Sequence, residues 1–190
     1  MNPFEFRPIA RADFPMVSRW LRQPHVARWW CDDPAPEAVE AEYGGVIDGR
    51  EPAEVFIASR DGRAVGLVQR FPLAGYSHYR DQVAAWTEVP DHAWSLDYFL
   101  GEPDVLRIGW GTVLVGQLTR SIWDRAPEAP AILAPVHAHN RASWRVLERN
   151  GWRRVAVAQL EPDHPADSRE HFILRIDRPR SWPGRLRPAP

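Results

Sequence analysis

The order of the predicted strands and helices favours an α/β fold built on one mixed sheet. In the second half of the chain, short apolar segments alternate with helical patterns, which is typical of a sheet covered by helices. In the first half, apolar runs at 55–59 and 64–71 are joined by Asp61-Gly62, a strong hairpin signal. The chain has 190 residues, enough to bury one core, and the pattern predicts no second one.

The individual elements follow from apolar periodicity and from capping residues. Asp13 is typical of a helix N-cap, and Gly151 is typical of the residue that ends a helix. The predicted strands are 4–9, 55–59, 64–71, 94–100, 131–135, 152–160 and 171–176. The predicted helices are one that follows Asp13 through Leu21, and those at 25–30, 36–47, 111–123 and 140–150. The segment 72–91 is predicted to be irregular.

We expect one domain over residues 1–178. The segment 179–190 is rich in Pro and Arg and is predicted to be a disordered tail. The first residues lack the apolar run of a signal peptide, and no stretch of about 18 apolar residues occurs. A cytoplasmic protein is therefore expected, with no membrane partner.

Composition excludes several classes of function. The formal net charge is -1, so no basic field attracts nucleic acid or an anionic membrane. Cys31 is the single cysteine, which excludes an internal disulfide and a multi-cysteine metal site. His137 and His139 lack an accompanying cluster of further ligands, so no metal is expected. The sequence leaves the oligomeric state open.

A strand that leads into a glycine turn at a helix start is the first candidate site. The strand Trp94–Leu100 is followed by Gly109-Trp110-Gly111 and an apolar helix. Free backbone N–H groups and the positive end of the helix dipole bind phosphate at such a position. Taken alone, the two glycines are equally compatible with ordinary turn chemistry.

A second motif makes the glycine turn a more specific signal. Asn140 is followed eleven residues later by Gly151, with Ser143, Leu147 and Glu148 between them. This run, preceded by the glycine turn, resembles the two cofactor motifs of the GNAT acetyltransferases in their order and spacing. Trp152 stands where the family usually has Phe.

The resemblance implies the GNAT fold, in which two central strands splay apart into a V-shaped site for acyl-CoA. It implies acetyl-CoA as co-substrate, with its pyrophosphate on the glycine turn and its pantetheine arm on Asn140. Arg107 stands beside the turn and is expected to serve the phosphate. The cofactor-binding residues predicted in this way are Arg107, Ile108, Gly109, Trp110, Gly111, Thr112, Asn140 and Ser143.

Further motifs resemble the aminoglycoside 6'-N-acetyltransferases. These are the segments 24–30 and 65–70 and Ser95-Leu96-Asp97. The resemblance implies that an amine attacks the thioester directly and that Asp97 receives its proton. An Asp inside an apolar strand is also costly unless it is paired or used. The resemblance to these enzymes suggests antibiotic resistance as a role, and the sequence leaves that role open.

The predicted substrate-binding residues are aromatic, acidic or amide side chains, three of which lie in the segment before the Asp97 strand. Acids interleaved with aromatic rings suit a cationic sugar, which pairs with carboxylates and stacks on rings. A solvated loop, a buried helix face or a strand Gln that faces solvent explains the same residues without a substrate. The residues are Trp30, Gln69, Trp86, Glu88 and Asp91.

Three departures from the family pattern keep alternatives open. Leu106 replaces the usual Gln or Arg before the glycine turn, and Leu147 replaces a Tyr that protonates the leaving thiolate. Pro135 replaces a second acid of the aminoglycoside enzymes. The alternatives are a GNAT acyltransferase for a siderophore or lysine-type amine, one for a protein N-terminus, and a non-catalytic module that binds CoA or a ligand.

Overall fold

The strands form one seven-stranded sheet in the order β1-β2-β3-β4-β5-β7-β6. The computed structural model describes residues 2–162, 164 and 166–182. The strands are β1 (Glu5–Pro8), β2 (Glu54–Arg60), β3 (Arg63–Pro72), β4 (Trp94–Leu100), β5 (Ala131–His137), β6 (Arg153–Gln159) and β7 (Glu170–Asp177). The predicted α/β fold with a mixed central sheet is confirmed.

Helices cover both faces of this sheet. The α-helices are α1 (Phe14–Leu21), α2 (Pro24–Trp30), α3 (Pro36–Ile47), α4 (Ser77–Ala84), α5 (Trp110–Arg125) and α6 (Arg141–Arg149). The first three follow one another between β1 and β2, whereas α5 and α6 each connect a pair of later strands. Pro occupies one of the first two positions of α1, α2 and α3, where its missing N–H costs nothing.

The sheet opens between β4 and β5. Neighbouring strands from β1 to β4 are antiparallel, and so are β5, β7 and β6. In contrast, β4 and β5 are parallel, and their register consists of the single pair Trp94 and Ile132. The two strands are thus joined at their amino ends and separate towards their carboxyl ends, which leaves a V-shaped gap.

Each face of the sheet has its own core. On the first, the α5/α6 face, Leu96 and Ile132 pack with Leu114, Leu118 and Leu147 from the helices. On the opposite face, the α1–α4 face, two separate clusters form. One surrounds Trp20, Tyr43, Ile57, Leu67 and Phe99 under α1 to α3, and the other surrounds Phe71, Leu73, Val83, Leu133 and Ile173 beside α4.

The prediction that 72–91 is irregular is wrong, because α4 forms within it. The rings of Tyr76 and Tyr79 contact Phe71 edge-on at centroid distances of 5.2 and 5.6 Å, and Val83 is fully buried. These three residues are spaced by three and four positions, so one side of the short helix packs on the sheet. The helix lacks a side-chain cap, and this removed the usual sequence signal for its start.

Residues 183–190 of the predicted tail lie outside the described residues, so its disorder remains a prediction. At its start, the indole Nε1 of Trp182 donates to Asp124 Oδ1 on α5 at 3.0 Å. Among the described residues, no helix combines the length and the apolar character needed to cross a membrane.

Candidate active site

The glycine turn at the start of α5 has an unusual backbone. Gly109 is the N-cap of the helix with φ of 88°, and Arg107 also has a positive φ, of 63°. Ile108 between them is 55% exposed, which is high for a large apolar residue. An alternation of this kind turns successive backbone N–H groups towards one side, where they form a concave site for anions.

The first turn of α5 adds donors to this site. The first N–H groups of a helix have no acceptor within it, and the helix dipole makes its amino end positive. Gly111 lies here against α6, since a Cβ on it would come within 3.5 Å of the Cγ2 of Val146. A phosphate group is the ligand that such a helix start binds.

Asn150 fixes α5 and α6 to one another, a role that the sequence did not reveal. Its side-chain Nδ2 donates to the carbonyl of Thr112 on α5 at 3.0 Å and to that of Val146 on α6 at 2.9 Å. A Cβ on Gly116 would come within 2.6 Å of Asn150 Oδ1, so only glycine allows this approach. The start of α5 is thereby held against the end of α6.

Asn140 is the N-cap of α6. Its Oδ1 accepts a hydrogen bond from the backbone N–H of Ser143 at 3.2 Å, as is typical of a capping residue. The cap uses the carbonyl oxygen, so the Nδ2 group is the part of this side chain that remains for a ligand. The predicted cofactor role of Asn140 is compatible with this geometry and stays a prediction.

Tyr98 joins β4 to the start of α6, although the sequence analysis did not select it. Its hydroxyl lies 3.1 Å from Ser143 Oγ and 3.4 Å from the Ser143 carbonyl. Burial raises the pKa of Tyr98 well above its ordinary value, and the hydrogen bond with Ser143 only partly opposes this shift. The phenol is therefore protonated at neutral pH and points to the α5/α6 side of the sheet.

Asp97 lies on the other face, because successive residues of a strand point in opposite directions. Gln69 is its direct partner across β3 and β4, and Gln69 Nε2 donates to Asp97 Oδ2 at 2.9 Å. The amide that was predicted to bind substrate thus holds the carboxylate of the predicted catalytic residue. Both side chains are partly buried.

Asp97 sits between the two cores of the α1–α4 face. Two residues further along β4, Phe99 packs edge-on against Trp30 with ring centroids 4.8 Å apart. Two residues before it, Ser95 Oγ lies 3.5 Å from the hydroxyl of Tyr79 on α4. Asp97 and Gln69 thus form a polar pair between two apolar clusters, and a partly buried carboxylate in such a place is a functional-site candidate.

The end of α2 lies across the open part of the sheet. Trp30 contacts Phe99 on β4, and Trp29 contacts His137 on β5 with ring centroids 5.6 Å apart. The imidazole Nε2 of His25 donates to the carbonyl of Leu100 at 2.9 Å, which anchors the start of the same helix. Helix α2 therefore forms a wall of the V-shaped gap on the face that carries Asp97.

The structure separates the remaining predicted substrate residues from this group. Trp86, Glu88 and Asp91 lie in the connection between α4 and β4, and Asp97 is the fourth residue of β4, about 10 Å further along. Asp91 is highly exposed, and the carbonyl of Glu88 accepts from Arg175 at 3.4 Å. Their substrate role stays a prediction and requires a ligand long enough to reach both places.

No group of three or more His, Cys, Asp or Glu side chains suitable for a metal ion occurs in the described part of the chain. Cys31 is exposed at the end of α2, where it has a left-handed backbone.

Pro135 stands across the gap, as far beyond the Trp94–Ile132 pair on β5 as Asp97 is on β4. The place of the second acid is therefore apolar.

Open sheets of α/β proteins generally bind ligands at the carboxyl ends of their parallel strands, and here those ends diverge beside the glycine turn of α5. The sequence model of the acetyltransferase (GNAT) domain matches residues 10–160. The chain therefore belongs to the GNAT acetyltransferase family, whose members use acetyl-CoA. The predicted resemblance is confirmed.

Individual relatives agree with this assignment. The lysine N-acyltransferase MbtK of Mycobacterium sp. (strain MCS) is 25% identical over 178 residues, which cover 88% of this chain and 70% of the relative. The structure of AAC(6')-Ib with paromomycin and acetyl-CoA superposes with a TM-score of 0.79 at 22% identity, over 93% of this chain and 94% of the other. The aminoglycoside N(6')acetyltransferase of Legionella pneumophila gives a TM-score of 0.67 at 18% identity, over 93% and 94%. At these identities, the structural likeness establishes the fold.

Proposed function

We propose that this protein transfers an acetyl group from acetyl-CoA to an amine of a small, polar, aminoglycoside-like molecule. The observation that carries the proposal is the pair of neighbouring residues Asp97 and Tyr98 on β4. They put a carboxylate and a protonated phenol on opposite faces of the sheet, beside the gap where β4 and β5 separate. An acetyl transfer needs a proton acceptor on the amine side and a proton donor on the thiolate side.

The cofactor lies on the α5/α6 side in this proposal. Its pyrophosphate binds the N–H groups of residues 108–112 at the start of α5, and exposed Arg107 adds a charge-assisted contact. Its pantetheine arm passes the start of α6, where it bonds Asn140. The thioester then reaches the gap between β4 and β5.

The amine attacks the thioester carbon from the α1–α4 side. Because only the neutral amine is a nucleophile, Asp97 takes its proton, directly or through a water molecule, as the C–N bond forms. Gln69 Nε2 donates to Asp97 Oδ2 at 2.9 Å and so orients the carboxylate that takes the proton. The C–S bond then breaks, and CoA leaves as a thiolate.

Tyr98 gives its hydroxyl proton to this thiolate, and the Ser143 hydroxyl at 3.1 Å stabilises the phenolate that remains until a solvent proton replaces the lost one. Leu147 stands where the family usually has a Tyr as proton donor, so that donor is missing here. The side chain of Leu147 is 1% exposed and packs in the core. Tyr98 packs against that same core from β4, so a phenol from a strand replaces the one from the helix.

The acceptor binds under the wall formed by α2, with Trp30 beside the reacting amine. A lysine-type amine is the second candidate acceptor. It is supported by the lysine N-acyltransferase among the relatives and by Pro135, since a monoamine needs fewer carboxylates than a polycationic sugar. We further propose a cytoplasmic location, where acetyl-CoA is available.

The test is release of free thiol from acetyl-CoA by the purified protein. The panel contains aminoglycosides, lysine derivatives and N-terminal peptides, with Asp97→Asn as the inactive control. Turnover with aminoglycosides that is lost in Asp97→Asn supports the first candidate, and turnover confined to lysine derivatives supports the second. Binding of acetyl-CoA without turnover on any amine would contradict both and assign the chain a role as a CoA-binding module.

A further inference from the structure

Arg60, the last residue of β2, is a buried cation that forms no ion pair with any described residue. It is 4% exposed, and its Nη1 has no hydrogen-bond partner in the described part of the chain. The adjacent carboxylate of Asp61 accepts instead from Asn2, at 2.7 Å. By contrast, Arg70, which also stacks on a ring, forms an ion pair with Glu54 at 2.6 Å.

The guanidinium of Arg60 lies against two aromatic rings, which contact each other edge-on near the start of α5. Its Cζ is 5.2 Å from the ring centroid of Phe4 and 4.6 Å from that of Trp110. Trp110 is the first residue of the helix, and helical side chains lean towards the amino end. The positive charge is therefore held beside the helix start that carries the glycine turn.

This arrangement is unfavourable for the protein alone. A helix start is positive, so a cation beside it is repelled, and a buried charge without a counter-charge costs free energy. The two rings offset part of this cost through cation–π contacts. An anion bound at the glycine turn would convert both unfavourable contributions into favourable ones.

We propose that Arg60 supplies buried positive charge for the phosphate groups of CoA. The inference rests on the proposed function, which puts acetyl-CoA at this turn. The side chain is buried, so its charge acts on the phosphates through the low-dielectric protein interior. Salt therefore screens this interaction only weakly. Exposed Arg107 acts on the same phosphates from the solvent side, where salt screens it strongly.

The experiment is calorimetric binding of CoA, dephospho-CoA and pantetheine to the wild type, Arg60→Met and Arg60→Gln. We expect CoA to bind about tenfold or more weakly to both variants, as the loss of a charge-assisted interaction predicts, and pantetheine to bind unchanged. A loss equal for CoA and dephospho-CoA assigns the effect to the pyrophosphate. A loss confined to CoA assigns it to the ribose phosphate.

Two further readouts separate this role from a structural one. The loss in Arg60→Gln is expected to persist in high salt, whereas that in Arg107→Gln shrinks. The unfolding temperature of ligand-free Arg60→Met is expected to stay equal or rise, because an uncompensated charge is removed. Arg178→Met is the control: Arg178 stacks on Trp123 and donates to the carbonyls of Trp123, Ala126 and Ala129, so this variant should lose stability and keep its CoA affinity.

Unchanged CoA affinity in both Arg60 variants would overturn the inference, and so would their failure to fold, which would show that the guanidinium is structural. Binding of CoA to the wild type separates the proposed function from the role of Arg60. If it does not bind CoA, the proposed function fails. If it binds CoA as tightly as the Arg60 variants do, only the inference about Arg60 fails.

Discussion

The two faces of the sheet differ in the groups that form the candidate site, which are mainly backbone on one face and side chains on the other. On the α5/α6 face, the site consists mainly of backbone: a turn with positive φ at Arg107 and Gly109, and the starts of two helices. On the α1–α4 face, it consists of side chains from α2, β3, β4 and α4 that meet around Asp97.

A site made of backbone and a site made of side chains depend on the sequence to different degrees. Backbone N–H groups at a helix start bind any phosphate, so the same short motif serves many proteins. A pocket made of side chains from four elements changes its shape and charge with single substitutions. Pro135, where the family pattern of the aminoglycoside enzymes has an acid, is one such substitution.

The largest expected effect is on the α1–α4 face. Asp97→Asn should lower kcat by about 10²- to 10⁴-fold, the usual contribution of a general base, and leave CoA affinity unchanged. The amide oxygen of Asn can still accept from Gln69 Nε2, so the strand pairing is kept. Thiol release and calorimetry measure the two quantities. A matching loss of CoA affinity would show that the two faces are not separate.

Tyr98→Phe tests the other side of the same strand. We expect kcat to fall about 10- to 100-fold, because water then protonates the thiolate less effectively. Since burial keeps the pKa of Tyr98 above its ordinary value, the wild type should show no alkaline loss of rate from this group below about pH 10. A pH–rate profile of both proteins checks this. An unchanged kcat in Tyr98→Phe would leave the proton donor as water.

Gly109→Ala probes the backbone site directly. A Cβ at Gly109 would meet no heavy atom within 4 Å, but φ of 88° is strained for alanine, which costs about 1 kcal/mol of unfolding free energy. We expect CoA affinity to fall about tenfold as the turn relaxes. Gly49→Ala is the matched control, with φ of 70° and equally open space at the end of α3. It should show the same loss of stability and normal CoA affinity.

The smallest effect concerns stability and not binding. Burial raises the pKa of Glu54, but hydrogen bonds from Arg125 and Arg70 outweigh it and hold the pKa below its ordinary value. The ion pairs therefore stabilise the fold above the pKa of the unfolded chain, and this contribution is lost as the pH falls through the folded value. Glu54→Gln should cost about 1 kcal/mol at pH 7, and this cost should shrink as the pH falls through the folded pKa, as measured by urea unfolding. Asp91 is exposed, so the control Asp91→Asn should change neither the unfolding free energy nor its dependence on pH.

The cofactor side was predictable from sequence because local signals define it. The glycine turn and the Gly151 stop each act within a few residues, and the structure has both where they were expected, with a helix that begins after Asn140. Asp97 was also predictable, since a carboxylate in an apolar strand is conspicuous. Tyr98 was not, because an aromatic residue in a strand is ordinary until its hydroxyl is found beside Ser143.

The acceptor side was predicted less well because its contacts join distant parts of the chain. Trp30 and Gln69 do lie on the face of Asp97, yet Gln69 binds Asp97 itself. Trp86, Glu88 and Asp91 were grouped with them by closeness in sequence, and a helix and the first part of β4 separate these groups. Only the packing of α2 and α4 on the sheet determines which side chains meet.

The most direct test of this division is a titration of the wild type with CoA, followed by the chemical shifts of its backbone amides. The account predicts the largest changes at residues 107–112 and 140–143, with small changes at Trp30 and Gln69 on the opposite face. Changes centred on Trp30, Gln69 and α2, with the glycine turn unaffected, would contradict it.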